Sequence, residues 1–339
     1  MRVLVIGGTR FVGRHLTHAA LARGHDVVLF NRGQTNAELF PEAVTVHGDR
    51  RAGGLDQLFG ESFDAVFDTA AYHPDDVIAT AAIAPGVAHY ALVSTVSVYR
   101  DPLSRHADET SPLWEIQEPL PKSFATPEEY GALKARCEAK AAEIYSGRAL
   151  IVRPGLIIGP HDYTDRLTSW LRRLSTRDSV LGGEADQPLQ LIDVRDVAEW
   201  MIQAAEAGVR GIFNAVGPDI ATSFADFISI AASVCGADVR VVWAGDRFLG
   251  DHDVAVPLWI PREDHPFFKL ANARARAAGL SLRPLDTSIA DVKVWNDARP
   301  GHSELTLSTA REDELLGKLS SERKRRANPD VECGIRASG

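Results

Sequence analysis

The turn that leaves the first apolar run constrains the fold more than any other stretch. Arg2-Val3-Leu4-Val5-Ile6 reads as a buried strand, Gly7-Gly8-Thr9-Arg10 as a tight turn, and Phe11 onward as an amphipathic helix closed by Gly24. HDVVLFNR, residues 25–32, reads as the next strand. Strand, helix and strand in this order make a βαβ unit, the building block of a parallel sheet.

The alternation continues. Short apolar runs recur at AVTVHGD (43–49), FDAVFDTAA (63–71) and HYALVSTVSVY (89–99), with a helical stretch at TPEEYGALKARCEAKAAEIY (126–145). ALIVRPGLIIGP (149–160) is one more core strand with the loop leaving it. This pattern predicts an α/β fold, a Rossmann-type doubly wound parallel sheet with helices on both faces. Residues 1–160 form its core. Residues 161–300, which hold Trp170, Trp243, Trp259 and Trp295, form mainly a smaller C-terminal substrate lobe, with returns to the sheet near 189–217. Residues 301–339 are expected to be a helix and a mobile tail, the tail starting at SSERKRRANPDVECGIRASG (320–339).

Composition removes several classes of function. A chain of 339 residues, 45% hydrophobic and 24% charged, buries a large core. The net charge of −9 repels nucleic acid and anionic lipid, so neither is an expected partner. The basic run in the tail reads as a solvated patch. Cys137, Cys235 and Cys333 are too scattered for a disulfide framework or a thiolate metal site. The first strand starts at Arg2, leaving no room for a leader, and no run has the apolar length of a membrane span. The expected setting is the cytoplasm. No metal is expected either, since GDHD (250–253) and PHDYTD (160–165) lack ligand spacing.

A glycine turn between a first strand and a first helix is suited to a dinucleotide. The helix N-terminus offers unpaired N–H groups and a favourable dipole to a pyrophosphate, and glycines let the backbone approach. Gly7, Thr9, Phe11, Val12 and Gly13 are the expected cofactor contacts, but Arg10 stands where a glycine is usual. At the end of the second strand, Asn31 and Arg32 replace the carboxylate that would hold a ribose 2′-hydroxyl. That removes a repulsion and adds a guanidinium, with Arg10 as a second, so NADP(H) is preferred and NAD(H) remains possible. Asp49 is placed for the adenine edge.

A second constellation follows. Tyr130 and Lys134 are spaced i, i+4 on one helical face, and STVSVY (94–99) supplies a hydroxyl at the end of a strand. An ammonium beside a phenol stabilises its phenolate, so Lys134 is expected to tune Tyr130 for acid/base work on a carbonyl.

With these motifs in their order, the chain resembles the extended short-chain dehydrogenase/reductase superfamily, in its NAD-dependent epimerase/dehydratase-like group, over roughly residues 1–300. The resemblance implies roles. Thr95 polarises the carbonyl, Tyr130 is the acid/base, and Lys134 also holds the nicotinamide ribose. Thr69, Ala70 and Ala71 of DTAA run under the cofactor, and Pro154 of RPGLIIGP lies beyond the nicotinamide. Departures concern the substrate, with Tyr72 beside it. Val96 and Ser97 occupy the positions of an acidic pair that dehydrates sugar nucleotides, and Leu156 and Leu189 replace two diphosphate contacts. Tyr72, Trp114, Trp170, Trp243 and Trp259 are available to wall an apolar pocket.

The expected enzyme is an NADPH-dependent reductase of a carbonyl or related C=X group on a small, fairly apolar metabolite, with a homodimer possible. A redox-neutral epimerase with tightly held cofactor is the alternative. A non-catalytic RNA-binding member of the superfamily is another, since GGTRF (7–11) is similar to the opening of chloroplast RNA-binding members.

Overall fold

The fold is that of a computed structural model, which describes residues 1–100, 107–218, 220–299 and 307–327. The first βαβ unit forms as its pattern requires: β1 (Arg2–Ile6), α1 (Phe11–Ala22) and β2 (Asp26–Asn31). Gly24, at φ +76°, ends the helix in a conformation that costs other residues a steric clash, and its N–H donates to Leu21 O. β3 (Val44–His47), β4 (Ala65–Asp68), α2 (Pro74–Ile83), β5 (His89–Val93), α3 (Pro127–Ile144) and β6 (Ala149–Pro154) follow.

With the strand Gly211–Ala215 they build a seven-stranded sheet in the order Gly211–Ala215, β6, β5, β4, β1, β2, β3. All its pairs are parallel. Alternate side chains feed two cores. Val3, Val5 and Leu29 join Leu16 of α1 and Met201 of the helix Val194–Glu206. Leu4, Ile6 and Val28 join Val77 of α2 and Cys137 of α3. The sheet is therefore doubly wound, with a buried helix layer on either face.

By its internal contacts the chain divides into two units. The first comprises Met1–Tyr163, Gln190–Ala221 and Pro266–Asp291, and contains the whole sheet. The second comprises Thr164–Leu189, Thr222–His265 and Val292–Gly339. Within it, Ser179–Gly182 pairs in parallel with Arg240–Trp243, and Trp170 packs edge-on against Phe224. Arg173 pairs with Glu312 with both side chains fully buried, and Glu312 also accepts from Leu181 N, which ties the helix Thr309–Ala327 to this unit. That helix carries Ser320 to Ala327, including the basic run expected in a tail; residues 328–339 lie outside the described set. The sequence there has no apolar stripe to announce a helix, whose earlier turns are held through buried Leu315 and Leu319.

Candidate functional site

Strand order reverses between β1 and its neighbours, and the crevice this leaves at the carboxyl ends of the strands is a cleft of about 610 Å³. The turn from β1 to α1 forms its floor. Gly7 has φ +89°, and a Cβ there would lie 2.6 Å from Thr69 Oγ1. A Cβ on Gly13 would lie 2.3 Å from the Gly7 carbonyl oxygen, so the helix packs on the turn as only glycine permits. α2 and α3 are capped by His73 and Thr126, whereas no side chain caps α1 at Arg10. Its first N–H groups are thus available to an anion beside the cleft.

Of the expected cofactor residues, Gly7, Thr9, Arg10, Phe11, Val12, Gly13, Asn31, Arg32, Asp49, Thr69 and Ala70 line this cleft together. Ala71, Lys134 and Pro154 are buried and not part of its wall. The donor set fits a nucleotide. Asn31 Oδ1 accepts from Gly33 N at 2.8 Å, which fixes the amide, and leaves the buried Nδ2 without a partner among the described residues. A buried orphan donor on a cleft wall awaits an acceptor. No carboxylate pairs with Arg10 or Arg32 among the described residues; Arg10 instead lies over the ring of Tyr163, 3.5 Å from its centroid. Asp49 accepts from Arg51 N at 2.9 Å and so shapes the turn after β3 as well as facing the cleft.

Residues that sequence reasoning missed hold this geometry. Arg50, buried, donates to both oxygens of Asp68 at 2.6 and 3.2 Å, and Arg51 forks onto Asp76 at 2.8 and 2.9 Å. Asp76 in turn accepts from Tyr72 N and His73 N. The loop leaving β4 is thereby fixed beneath the cleft. Asn36 donates to Thr9 O at 3.0 Å, and Phe124 and Tyr163 join the rim. Only the RR pair after Asp49 hinted at any of this; Phe124 and Tyr163 sit in segments without periodicity.

Thr95 and Tyr130 meet. Thr95 caps the short turn Val96–Val98, its Oγ1 accepting from Ser97 N and donating to Ser97 Oγ, each at 3.1 Å, and it neighbours the Tyr130 phenol. Burial raises that phenol to about 12, with the Tyr72 ring adding to the shift and Thr95 opposing it. Lys134 is buried on α3. Its Nζ donates to Ala71 O at 2.7 Å and Val93 O at 2.6 Å, and burial lowers its proton affinity. In this arrangement the ammonium ties the loop after β4 to the end of β5. Behind the site, Glu138 accepts from Arg153 at 2.6 Å and from Ser94 Oγ, securing α3 against β5 and β6.

The expected substrate positions are dispersed. Tyr72 is 43% exposed on the cleft wall, its ring 6.4 Å from Tyr130 and 6.3 Å from Phe124. Val96 is buried in a small cluster with Val98 and Val216, Ser97 is half-buried beside Thr95, and Leu156 is half-buried on a strand paired with Leu191–Asp193. Trp114 packs where Gly131 leaves room on α3. Trp170 corrects the reading of a pocket wall: it is fully buried in the second unit, donating to Pro257 O at 2.7 Å. Trp243 packs on Phe224 and Trp259 donates to Asp246 in the same unit, and Leu189 is a buried strand residue there. Size and polarity alone do not distinguish a core tryptophan from a wall. Among the described residues no group of His, Cys, Asp and Glu is placed to hold a metal ion, and no helix is long and apolar enough to cross a membrane.

The model of the NAD dependent epimerase/dehydratase family matches residues 3–81 and 74–215. The chain is 28% identical over 253 residues to the epimerase family protein SDR39U1 of Bos taurus, covering 70% of this chain and 81% of that one. It is 31% identical over 182 residues to the 2-alkyl-3-oxoalkanoate reductase of Stenotrophomonas maltophilia, across 48% of this chain and about half, 52%, of the relative. The crystal structure of human SDR39U1 (isoform 2) with NADPH superposes with a TM-score of 0.59 at 22% identity, covering 86% of this chain and 99% of that one. This solved structure shares the fold.

Proposed function

We propose, from the premise that the chain belongs to the NAD dependent epimerase/dehydratase family, that it reduces a carbonyl or related C=X group on a small, fairly apolar metabolite with NADPH. The observation that carries this reading is the placement of Thr95 beside a half-buried Tyr130, whose phenol is pushed up to about 12 and whose ring stands 6.4 Å from that of Tyr72 on the cleft wall. A phenol that keeps its proton at neutral pH is an acid, and protonating a nascent alkoxide is what reduction demands. Bound NADPH supplies the hydride. Thr95 and Tyr130 hydrogen-bond the substrate oxygen as charge builds on it, Tyr130 transfers its proton there, and Lys134 ties the loop after β4 to the end of β5.

Val96 and Ser97 offer no second acid/base pair for dehydration. The reductase relative acts, by its name, on a 2-alkyl-3-oxoalkanoate, whose 3-oxo group is a carbonyl of the kind proposed. Preference for NADPH rests on Arg10, Arg32 and the orphan amide of Asn31. The test is NADPH consumption across a panel of alkyl-substituted ketones, with the alcohol identified as product, beside thermal shifts with UDP- and dTDP-sugars. We expect turnover in the first and no shift in the second. Cofactor that survives gel filtration, with no net reduction of any ketone, would instead favour a redox-neutral epimerase.

A further inference from the structure

Tyr163 has no assigned role, yet it touches both residues that make the β1–α1 turn unusual. The Arg10 guanidinium carbon lies over its ring, 3.5 Å from the centroid, and Phe11 meets it edge-on with centroids 6.3 Å apart. Phe11 carries φ +36°, a left-handed conformation that a bulky side chain adopts only where neighbours over-determine it. Arg10, Phe11 and Tyr163 all line the nucleotide cleft. Tyr163 is itself 56% exposed, so the stack is held by the ring and the cation and not by burial.

We infer that Tyr163 is a positioning residue for the dinucleotide: it holds Arg10 stacked over the cleft so that the guanidinium meets a cofactor phosphate already ordered. The inference rests on the nicotinamide-cofactor reading above, and either NADPH or NADH satisfies it. A guanidinium stacked on a ring spends its face there and keeps its in-plane N–H groups for an anion. No carboxylate competes for Arg10 among the described residues. An arginine ordered before binding loses less side-chain entropy on meeting a phosphate, which strengthens binding mainly by slowing release.

The test is a double-mutant cycle on the full chain, with dissociation constants and release rates of NADPH and NADH followed by nucleotide fluorescence, and melting temperatures recorded alongside. Tyr163→Ala is expected to speed release and weaken binding by roughly three- to tenfold. In an Arg10→Ala background it should add almost nothing, a non-additivity that a merely structural role for Tyr163 would not produce. Tyr163→Phe keeps the ring face and should restore the parent release rate. Unchanged release in Tyr163→Ala, or additive effects in the double variant, would overturn the inference. A parent that prefers NADH would defeat the proposed cofactor preference while leaving the cycle intact, and a parent that binds neither nucleotide would defeat both.

Discussion

At the scale of single residues, charge without a partner is the informative quantity. Arg32 lines the cleft at the end of β2, and no carboxylate pairs with it among the described residues. A charge-assisted contact to a 2′-phosphate contributes roughly 1.5–3 kcal/mol. Arg32→Ala should therefore raise the NADPH dissociation constant more than about tenfold and hardly move that of NADH; equal losses for both would place Arg32 elsewhere in binding. Tyr130 makes a different kind of claim. Tyr130→Phe removes the proton donor but leaves the cleft wall intact, so turnover should fall by roughly 10²-fold or more with nucleotide affinity nearly unchanged. Near-parental turnover would remove the phenol from the chemistry.

At the scale of elements, the β1–α1 junction depends on one close approach. A methyl group at position 13 would collide with the Gly7 carbonyl, which is backbone and cannot swing aside. Gly13→Ala must then push the helix off the turn, at a cost of about 1–3 kcal/mol, and titration calorimetry should show nucleotide binding largely lost in a protein that still folds. Parental affinity would contradict that packing. These elements were legible in the sequence because buried strands and capped amphipathic helices obey short-range rules: β1, α1, β2 and α3 lie where their periodicity places them. The cleft residues at 7–13 and 31–32 were legible for the same reason. Phe124 and Tyr163 were not, since they belong to aperiodic loops whose position depends on tertiary contacts. Nor was the orientation of Lys134, because helical spacing specifies a face and not which acceptors an ammonium will choose.

For the molecule as a whole, buried histidines set the response to acid. His89 is 4% exposed, neither ring nitrogen finds a partner among the described residues, and burial, with Arg210 nearby, lowers its value to about 4. Its folded value lies below the unfolded one near 6.5, so its contribution to stability is complete above that pH and is lost as pH falls toward 4. The loss amounts to about 3 kcal/mol. His15, also lowered to about 4 by burial, acts in the same direction and window. Melting temperatures of the parent should drop steeply between pH 6.5 and 4, and His89→Phe should flatten that slope; an equally steep decline in the variant would mean that other groups dominate.

Every residue on the cleft wall lies at or before Tyr163, whereas the helix Val194–Glu206 that packs on α1 and the strand Gly211–Ala215 that pairs with β6 come later in the chain. During synthesis the ribosome thus delivers these cleft-wall residues well before the sheet has its last strand. Until then β6 has an open hydrogen-bonding edge, and Leu16 and Ala20 of α1 lack the Val197 and Met201 that cover them. A fragment ending at Tyr163 should accordingly aggregate instead of binding nucleotide, and a soluble, nucleotide-binding fragment would show the opposite. The nascent protein has its cleft residues before it can shield the apolar face of α1, and for that interval the face and the β6 edge are open to aggregation.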